Sequence, residues 1–271
     1  LIDPAVAVED DFFWEQGIDL RCICSQLVSS NLDMDRLDYL VRDSYYAGVK
    51  YGQIDVAWLM SHLCRHIDVD GRLVLAVDRR ATYALDDFLI SRYHMFLMVY
   101  FHRKSVGYEL MFREYMRSPE CSYRIPASLE EYQWVDDAQL LCFMRNDAHP
   151  FAQRIIKREP YKVAFERHGH PEEVDLYVRK GALEEAGVPV IADTCIGVIC
   201  SKPKPGKAPI YLISREEDNP TAVPLHNLSS AFAQSRFEAC ISRLYVPPEA
   251  LTKAKCILRK LDQVPKQQRL L

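Results

Sequence analysis

The stretch Asn31–Gly52, NLDMDRLDYLVRDSYYAGVKYG, constrains what this chain can fold into more than any other. Read as a helix turning ~100° per residue, it places Asp35, Tyr39, Arg42, Asp43 and Tyr46 within a wedge of about 100°, with Arg36 at its margin. Leu37, Leu40 and Val41 fall on the opposite side, where they can enter a core. One face is acid, base and phenol together, and the other is aliphatic. The bland account of such a face is a solvated surface with i,i+4 ion pairs, Asp38–Arg42 being the best placed. Two details argue for more. Tyrosines carry large apolar area, so their interleaving with charges implies partial burial. Every acid is aspartate, a poorer helix former than glutamate, and its short carboxylate suits a metal ligand better than a solubilising surface.

The rest of the chain reads as helices first and strands later. Residues 9–18 are acidic and aromatic and read as a loop or short helix. Helical spacing runs from Asp19 to about Ala47, and QIDVAWLMSHLCRHI (53–67) reads as another helix. A turn at Asp70-Gly71 followed by a β-rich run to Val77 predicts a short hairpin. Residues 81–118 form the longest helical pattern, as one helix or two, interrupted only by Gly107. Ser128 stands three residues before Glu131, the spacing of a capping box opening a helix over 128–146. A helix from His149 should end at Pro160. After 168–174 the runs PVIADTCIGVICS (189–201) and APIYLIS (208–214) are β-branched and apolar, and a last helix spans 248–264. The expected fold class is mainly α followed by a small α+β region, with domains 1–165 and 166–271 joined through AFERHGHPEEVD. No internal repeat or low-complexity segment is present.

Composition narrows the function classes. The chain has 271 residues, 49% hydrophobic and 27% charged, an ordinary globular balance. A formal charge of −4 gives no general electrostatic case for nucleic acid or an anionic membrane. No apolar run reaches the ~18 residues that span a bilayer. Nine cysteines are scattered among apolar neighbours, and Cys22-Ile-Cys24 has the wrong spacing for a zinc knuckle. Buried reduced thiols are expected, which favours a cytoplasmic location. The start lacks an initiator Met and a signal-peptide pattern, as expected of a fragment whose N-terminus lies upstream.

The segment LDMDRLDYLVRDSYYAGVKYG resembles the stretch containing the last metal ligand in HD-domain phosphohydrolases of the dNTP triphosphohydrolase type. That family's pattern is roughly L/I-D-x-D-R/K-x-D-Y-x-x-R-D-S/C-x-x-x-G, and its fixed positions are met. A second likeness lies in DDFLISRYHMFLMVYFHR (86–103), which resembles the family's helix with an arginine and, eight residues on, a tyrosine. The resemblance covers residues 20–165 well and the C-terminal part only in order of elements. It implies that Asp35 is the final aspartate of an H…HD…D set binding a divalent metal ion. It also implies that Arg36 and Arg92 contact substrate phosphates, that Tyr39 and Asp43 face the sugar, and that Tyr100 meets the base or sugar. The implied partner is a dNTP substrate, hydrolysed to deoxynucleoside and triphosphate, with a homo-oligomer as a family habit. The chain departs from the pattern in having no His-Asp dipeptide; His66-Ile67-Asp68 follows the final aspartate rather than preceding it. The resemblance thus implies ligands upstream of Leu1 and a fragment inactive alone, since one carboxylate cannot hold such a metal.

Other candidates have plainer accounts. His62 and His66 are i,i+4 on the expected helix but lack an intervening Glu and a third ligand. His168 and His170 border the interdomain connection, and His94 and His102 border the Arg92–Tyr100 face. The lysines of SKPKPGKAP (201–209) lack a P-loop pattern and read as a solvated hairpin loop. No Gly-x-Ser-x-Gly elbow is present. Two alternatives to an enzyme stay open: a nucleotide-sensing or regulatory module that keeps the binding face without chemistry, and a purely structural helical domain.

Overall fold

The computed structural model describes residues 13–169, 173–200, 207–214, 222–225 and 237–263. A two-residue ladder opens the described chain, β1 (Trp14–Glu15) against β2 (Ile18–Asp19). Gln16 and Gly17 both have positive φ, 50° and 81°, as the tightest hairpin turns demand. Residues 14–19 are thus a hairpin rather than a loop or helix; residues 9–12 lie outside the described residues.

The helical run expected from Asp19 to Ala47 is two helices, α1 (Arg21–Val28) and α2 (Met34–Ala47). Asp33 separates them by capping α2, its carboxylate accepting the Arg36 N–H at 2.8 Å. The expected helix over 53–67 is also overturned. Only α3 (Val56–Ser61) is helical, and β3 (Leu63–Ile67) pairs antiparallel with β4 (Leu73–Asp78), from Leu63↔Val77 to Ile67↔Leu73. The hairpin at Asp70-Gly71 is present, and Gly71 takes φ 77°. After β4 come α4 (Thr82–Met95), a π-helical turn (Phe96–Tyr100) and α5 (Arg103–Arg117).

The capping box at Ser128 does not form. Helix α6 (Leu129–Tyr132) is a single turn without a side-chain cap, and the Ser128 hydroxyl donates to Glu130 instead, at 2.5 Å. Asp136 is the true cap of α7 (Asp137–Asn146), accepting the Gln139 N–H at 2.7 Å. Helix α8 (Pro150–Ile156) ends before Pro160, and β5 (Lys162–His168), α9 (Glu173–Glu185) and β6 (Ile191–Cys200) follow. The chain closes with β7 (Tyr211–Ile213), β8 (Ala222–Pro224), β9 (Phe237–Val246) and α10 (Leu251–Gln263). The result is an α-rich mixed fold. No helix among the described residues is long and apolar enough to cross a membrane.

The described residues divide into two compact units, each discontinuous in sequence. The first draws on Leu1–Val99 and Ile196–Ala239, the second on Tyr100–Cys195 and Cys240–Leu271. Residue 165 lies inside β5, in the second unit.

The first unit holds a sheet in the order β3-β4-β7-β8, with β4 and β7 parallel. Every residue of β4 is buried, as expected of an interior strand. Gln26 of α1 is buried against this sheet. Its amide donates to the Ala208 and Pro209 carbonyls at 3.0 Å each and accepts the Leu75 N–H at 2.7 Å, so one side chain fixes α1 to β4 and to the approach to β7.

The second unit packs α5, α7 and α8 around Tyr115, Cys121, Tyr123, Met144 and Ala152. It also packs α9 and α10 on β5 and β9 around Leu183, Val188, Leu244 and Leu258. Arg179 of α9 is buried there, paired with Asp175 and Asp262 and 4.4 Å above the Phe165 ring. All nine cysteines are free thiols; Cys142 and Cys256 are exposed, against the expectation of burial throughout.

Candidate functional site

Helix α2 carries the predicted polar face, and its ends show why the local sequence folds this way. Asp33 caps the first turn, and its second oxygen accepts the Ser30 N–H at 3.0 Å and pairs with the Arg36 guanidinium. Arg36 also donates to the Ser30 carbonyl. Asp33 is therefore spent on structure. At the other end Gly48 adopts the left-handed conformation, φ 67°, and its N–H reaches the Ser44 and Tyr45 carbonyls. The Ser44 hydroxyl donates to the Val49 carbonyl at 2.8 Å and accepts the Gly52 N–H at 3.2 Å. The motif's serine and glycine thus shape the turn that ends α2.

Leu37 and Leu40 are buried, as expected. Val41 is not: it is 41% exposed, so the aliphatic stripe is narrower than the helical wheel suggests. Asp38 and Arg42 form the expected bidentate pair at 2.9 and 3.0 Å, fully in solvent. Tyr45 and Tyr46 are also exposed, which corrects the inference of burial from their phenol rings. The half-buried polar residues of the face, Arg36, Tyr39 and Asp43, all lie before Ser44.

There the structure brings Arg36, Tyr39 and Arg92 together. Arg92 lies in the last turn of α4 and is only 5% exposed. It donates to the Ile199 carbonyl of β6 at 2.5 Å and hydrogen-bonds the Tyr39 hydroxyl. Its guanidinium lies 5.6 Å above the Phe96 ring, within cation–π range. Phe96 can sit there because β6 has Gly197 opposite; a Cβ at that position would come within 2.6 Å of the ring.

Burial pushes the Arg92 pKa down, and the neighbouring Arg36 guanidinium adds to that, opposed by Tyr39 and Asp33. Among the described residues no carboxylate forms an ion pair with Arg92, and the Nε atoms of both arginines are buried without a partner. Among the described residues, Asp33 is the carboxylate that acts on Arg92, and it is already paired with Arg36. The buried charge of Arg92 is therefore left without a counter-charge of its own.

Asp35 lies in the first turn of α2, exposed, with no hydrogen-bond or ion-pair partner among the described residues. Asp43 is half-buried two turns further on. Among the described residues no three His, Cys, Asp or Glu side chains come together to hold a metal ion. Asp35 alone does not fit a divalent ion that needs several protein ligands. Tyr100 ends the π-helical turn and is the first residue of the second unit, so it is not placed with the others.

The histidines have local roles. His62 ends α3 against the Trp58 ring, and His66 lies on β3 against Tyr211, so they are not i,i+4 on a helix. His94 is exposed beside Tyr51, and His102 precedes α5. His168 meets Glu166 at 3.3 Å; His170 and residues 201–206 lie outside the described residues. Sequence reasoning missed Asp33, Phe96, Gly197 and Ile199. Only Asp33 left a signal, the three-residue spacing to Arg36 that marks a helix cap.

Residues 54–181 match the family described as the HD associated region, a span that includes Arg92 and Tyr100 but begins after α2. The uncharacterized protein YwfO of Bacillus subtilis is 27% identical over 187 residues, covering 60% of this chain and 42% of that protein. The uncharacterized protein MJ1154 of Methanocaldococcus jannaschii is 26% identical over 137 residues, 51% of this chain and 30% of that protein. The chain therefore spans less than half the length of these relatives. Among solved structures, a hypothetical protein from Aquifex aeolicus shares 25% identity at a TM-score of 0.68, over 86% of this chain and 59% of that one. A phosphohydrolase from Bacteroides thetaiotaomicron shares 22% identity at a TM-score of 0.55, over 83% and 63%. The second likeness is one of fold.

Proposed function

We propose that this chain is part of an HD-type phosphohydrolase, and that its first unit supplies the arginine pair that grips a nucleotide's phosphates. The observation carrying this is Arg92, a buried cation without a carboxylate partner, set beside Arg36. Leaving a charge buried and unpaired costs several kcal/mol, and a phosphate oxygen is the partner that offsets this cost. Guanidinium groups suit it because their fixed fork matches two phosphate oxygens at once. Arg36, its side chain 26% exposed, is the accessible arm of the pair, and Tyr39 holds Arg92 in place through its hydroxyl.

The substrate we assign is a dNTP, cleaved to deoxynucleoside and triphosphate in the complete protein. Asp43 and Tyr39 would meet the sugar. Asp35 would be one ligand of a divalent metal ion whose other ligands are not among the described residues. When bound, that ion would supply an activated water and polarise the phosphoryl group. The arginines' own part is to bind the triphosphate and neutralise charge on its oxygens as the bond to the sugar breaks. The HD associated region and the shared fold support the phosphohydrolase class.

Steady-state kinetics of the complete protein at saturating metal test this reading. Asp35→Ala should abolish turnover without lowering stability, because the side chain is exposed and partnerless. Arg92→Ala should keep measurable activity at high substrate with a raised KM, since it removes a charged contact worth roughly 1.5–3 kcal/mol. Wild-type behaviour from both variants would leave α2 as a solvated charged helix. A wild-type protein that binds dNTPs without turnover would instead be a nucleotide sensor.

A further inference from the structure

The second unit carries a surface that its own fold does not explain. All four residues of the one-turn helix α6 are exposed, Leu129 at 80%, and Trp134 just after it is 73% exposed. Ile125, Tyr132 and Leu141, in the same stretch of chain, are exposed as well. A single helical turn does not hold itself together in water, and large apolar side chains left exposed so close together in sequence mark a contact segment. The surface is also acidic. Glu130, Glu131, Asp136 and Asp137 lie within it, and no lysine or arginine occurs from Ile125 to Met144. Glu131 and Asp137 have no ion-pair partner among the described residues.

The same unit carries a complementary surface. Helix α10 buries Ala254 and Leu258 and turns Lys255, Cys256, Arg259 and Lys260 outward, along a groove bounded by Thr252 and Gln263. Among the described residues, Lys255, Arg259 and Lys260 pair with no carboxylate. One chain thus displays an acidic apolar arm and a basic groove, each lacking its counter-charge.

We propose that the arm, residues 125–141, docks on the outward face of α10 in a second copy of this chain, and that the second copy returns the same contact. Such reciprocity is what a two-fold axis imposes, each arm both given and received. Tyr132 and Trp134, at about 150–250 Å² each, supply the apolar anchor together with Leu129. Counted for both arms, they approach the ~800 Å² per partner of a stable interface. Glu131 and Asp137 would meet Lys255 and Arg259 around that anchor, setting register and salt dependence. This proposal does not depend on the phosphohydrolase reading.

Sedimentation velocity of the full chain across micromolar concentrations tests it. The wild type should dimerise, and added salt should weaken the dimer. E131K/D137K and K255E/R259E should each weaken dimerisation by roughly tenfold or more, and all four changes together should restore it. Trp134→Ser should weaken it without charge change. Thermal unfolding at the wild-type temperature confirms that each variant is folded. A wild type that stays monomeric overturns the proposal, whether the arm then serves another protein or none. So does a dimer indifferent to either reversal, or a combined variant that folds but stays monomeric.

Discussion

Gly52→Ala should be among the more damaging single-methyl changes in the first unit. The cause is space rather than backbone strain. A Cβ at this position would lie 2.2 Å from the Leu40 carbonyl oxygen and 2.7 Å from the Ser44 Cβ. The first of these is main chain of α2, so no flexible side chain can move aside. Overpacking of this sort costs about 1–3 kcal/mol. The loop must also retreat, loosening the bonds that Ser44 makes to Gly52 and Val49, at about 1 kcal/mol each. The sum is a destabilisation of about 3–5 kcal/mol. Gly48 provides the contrast. A Cβ there has nothing within 4 Å, but φ is 67°, so Gly48→Ala should cost only the left-handed penalty of about 1–2 kcal/mol. Gly48→Asn should cost less, since asparagine tolerates that conformation. Urea unfolding followed by circular dichroism at constant m-value reads all three. The reasoning fails if Gly52→Ala stays within about 0.5 kcal/mol of wild type, or if Gly48→Ala proves the more costly.

Three further changes test the packing and the charges of the same unit. Leu40 is fully buried while its neighbour Val41 is 41% exposed; Leu40→Ala should cost about 2–5 kcal/mol and Val41→Ala under about 0.5 kcal/mol, read by the same unfolding curves. Asp68 holds the β3–β4 turn by accepting the Asp70 and Arg72 N–H groups and the Arg72 guanidinium. Burial pushes its carboxyl up, but the Arg72 bonds outweigh burial and hold it below the ordinary value. A folded-state pKa below the unfolded one contributes stability at neutral pH and loses it as pH falls through the folded value. Asp68→Asn should therefore cost about 1–3 kcal/mol at pH 7, and its gap to wild type should narrow below about pH 4; a gap that is the same at both would contradict the assignment.

Much of α2 was legible because the helix is amphipathic by local rules. Its ion pair Asp38–Arg42 and its buried Leu37 and Leu40 follow from spacing alone, whereas its cap Asp33 was missed. Arg92 was legible only through resemblance, since nothing local shows that an arginine in the last turn of α4 meets the Ile199 carbonyl 107 residues later. The same distance effect explains the fold errors. Residues 63–67 read as helix because their pairing partner β4 is what makes them a strand. Strand β9 was hidden by Ser242 and Arg243, polar residues that are buried here. Arg243 is satisfied by Glu166 at 2.6 Å and the Phe101 carbonyl at 2.6 Å. Helix α9 was passed over beside the segment read as a connection. The two units interleave in sequence, which no composition shift announces.

The central claim is that Arg36 and Arg92 form an anion seat built for phosphates, and calorimetric titration of inorganic triphosphate into this chain tests it most directly. The wild type should bind with an affinity that falls as salt rises. Arg92→Met, which keeps the bulk but not the charge, should weaken binding by roughly tenfold or more, and Arg36→Met should do likewise. Thermal unfolding should show triphosphate stabilising the wild type, by about 2.7 kcal/mol at a hundredfold excess over Kd, and not stabilising the variants. Equal triphosphate affinity in wild type and Arg92→Met would contradict the account.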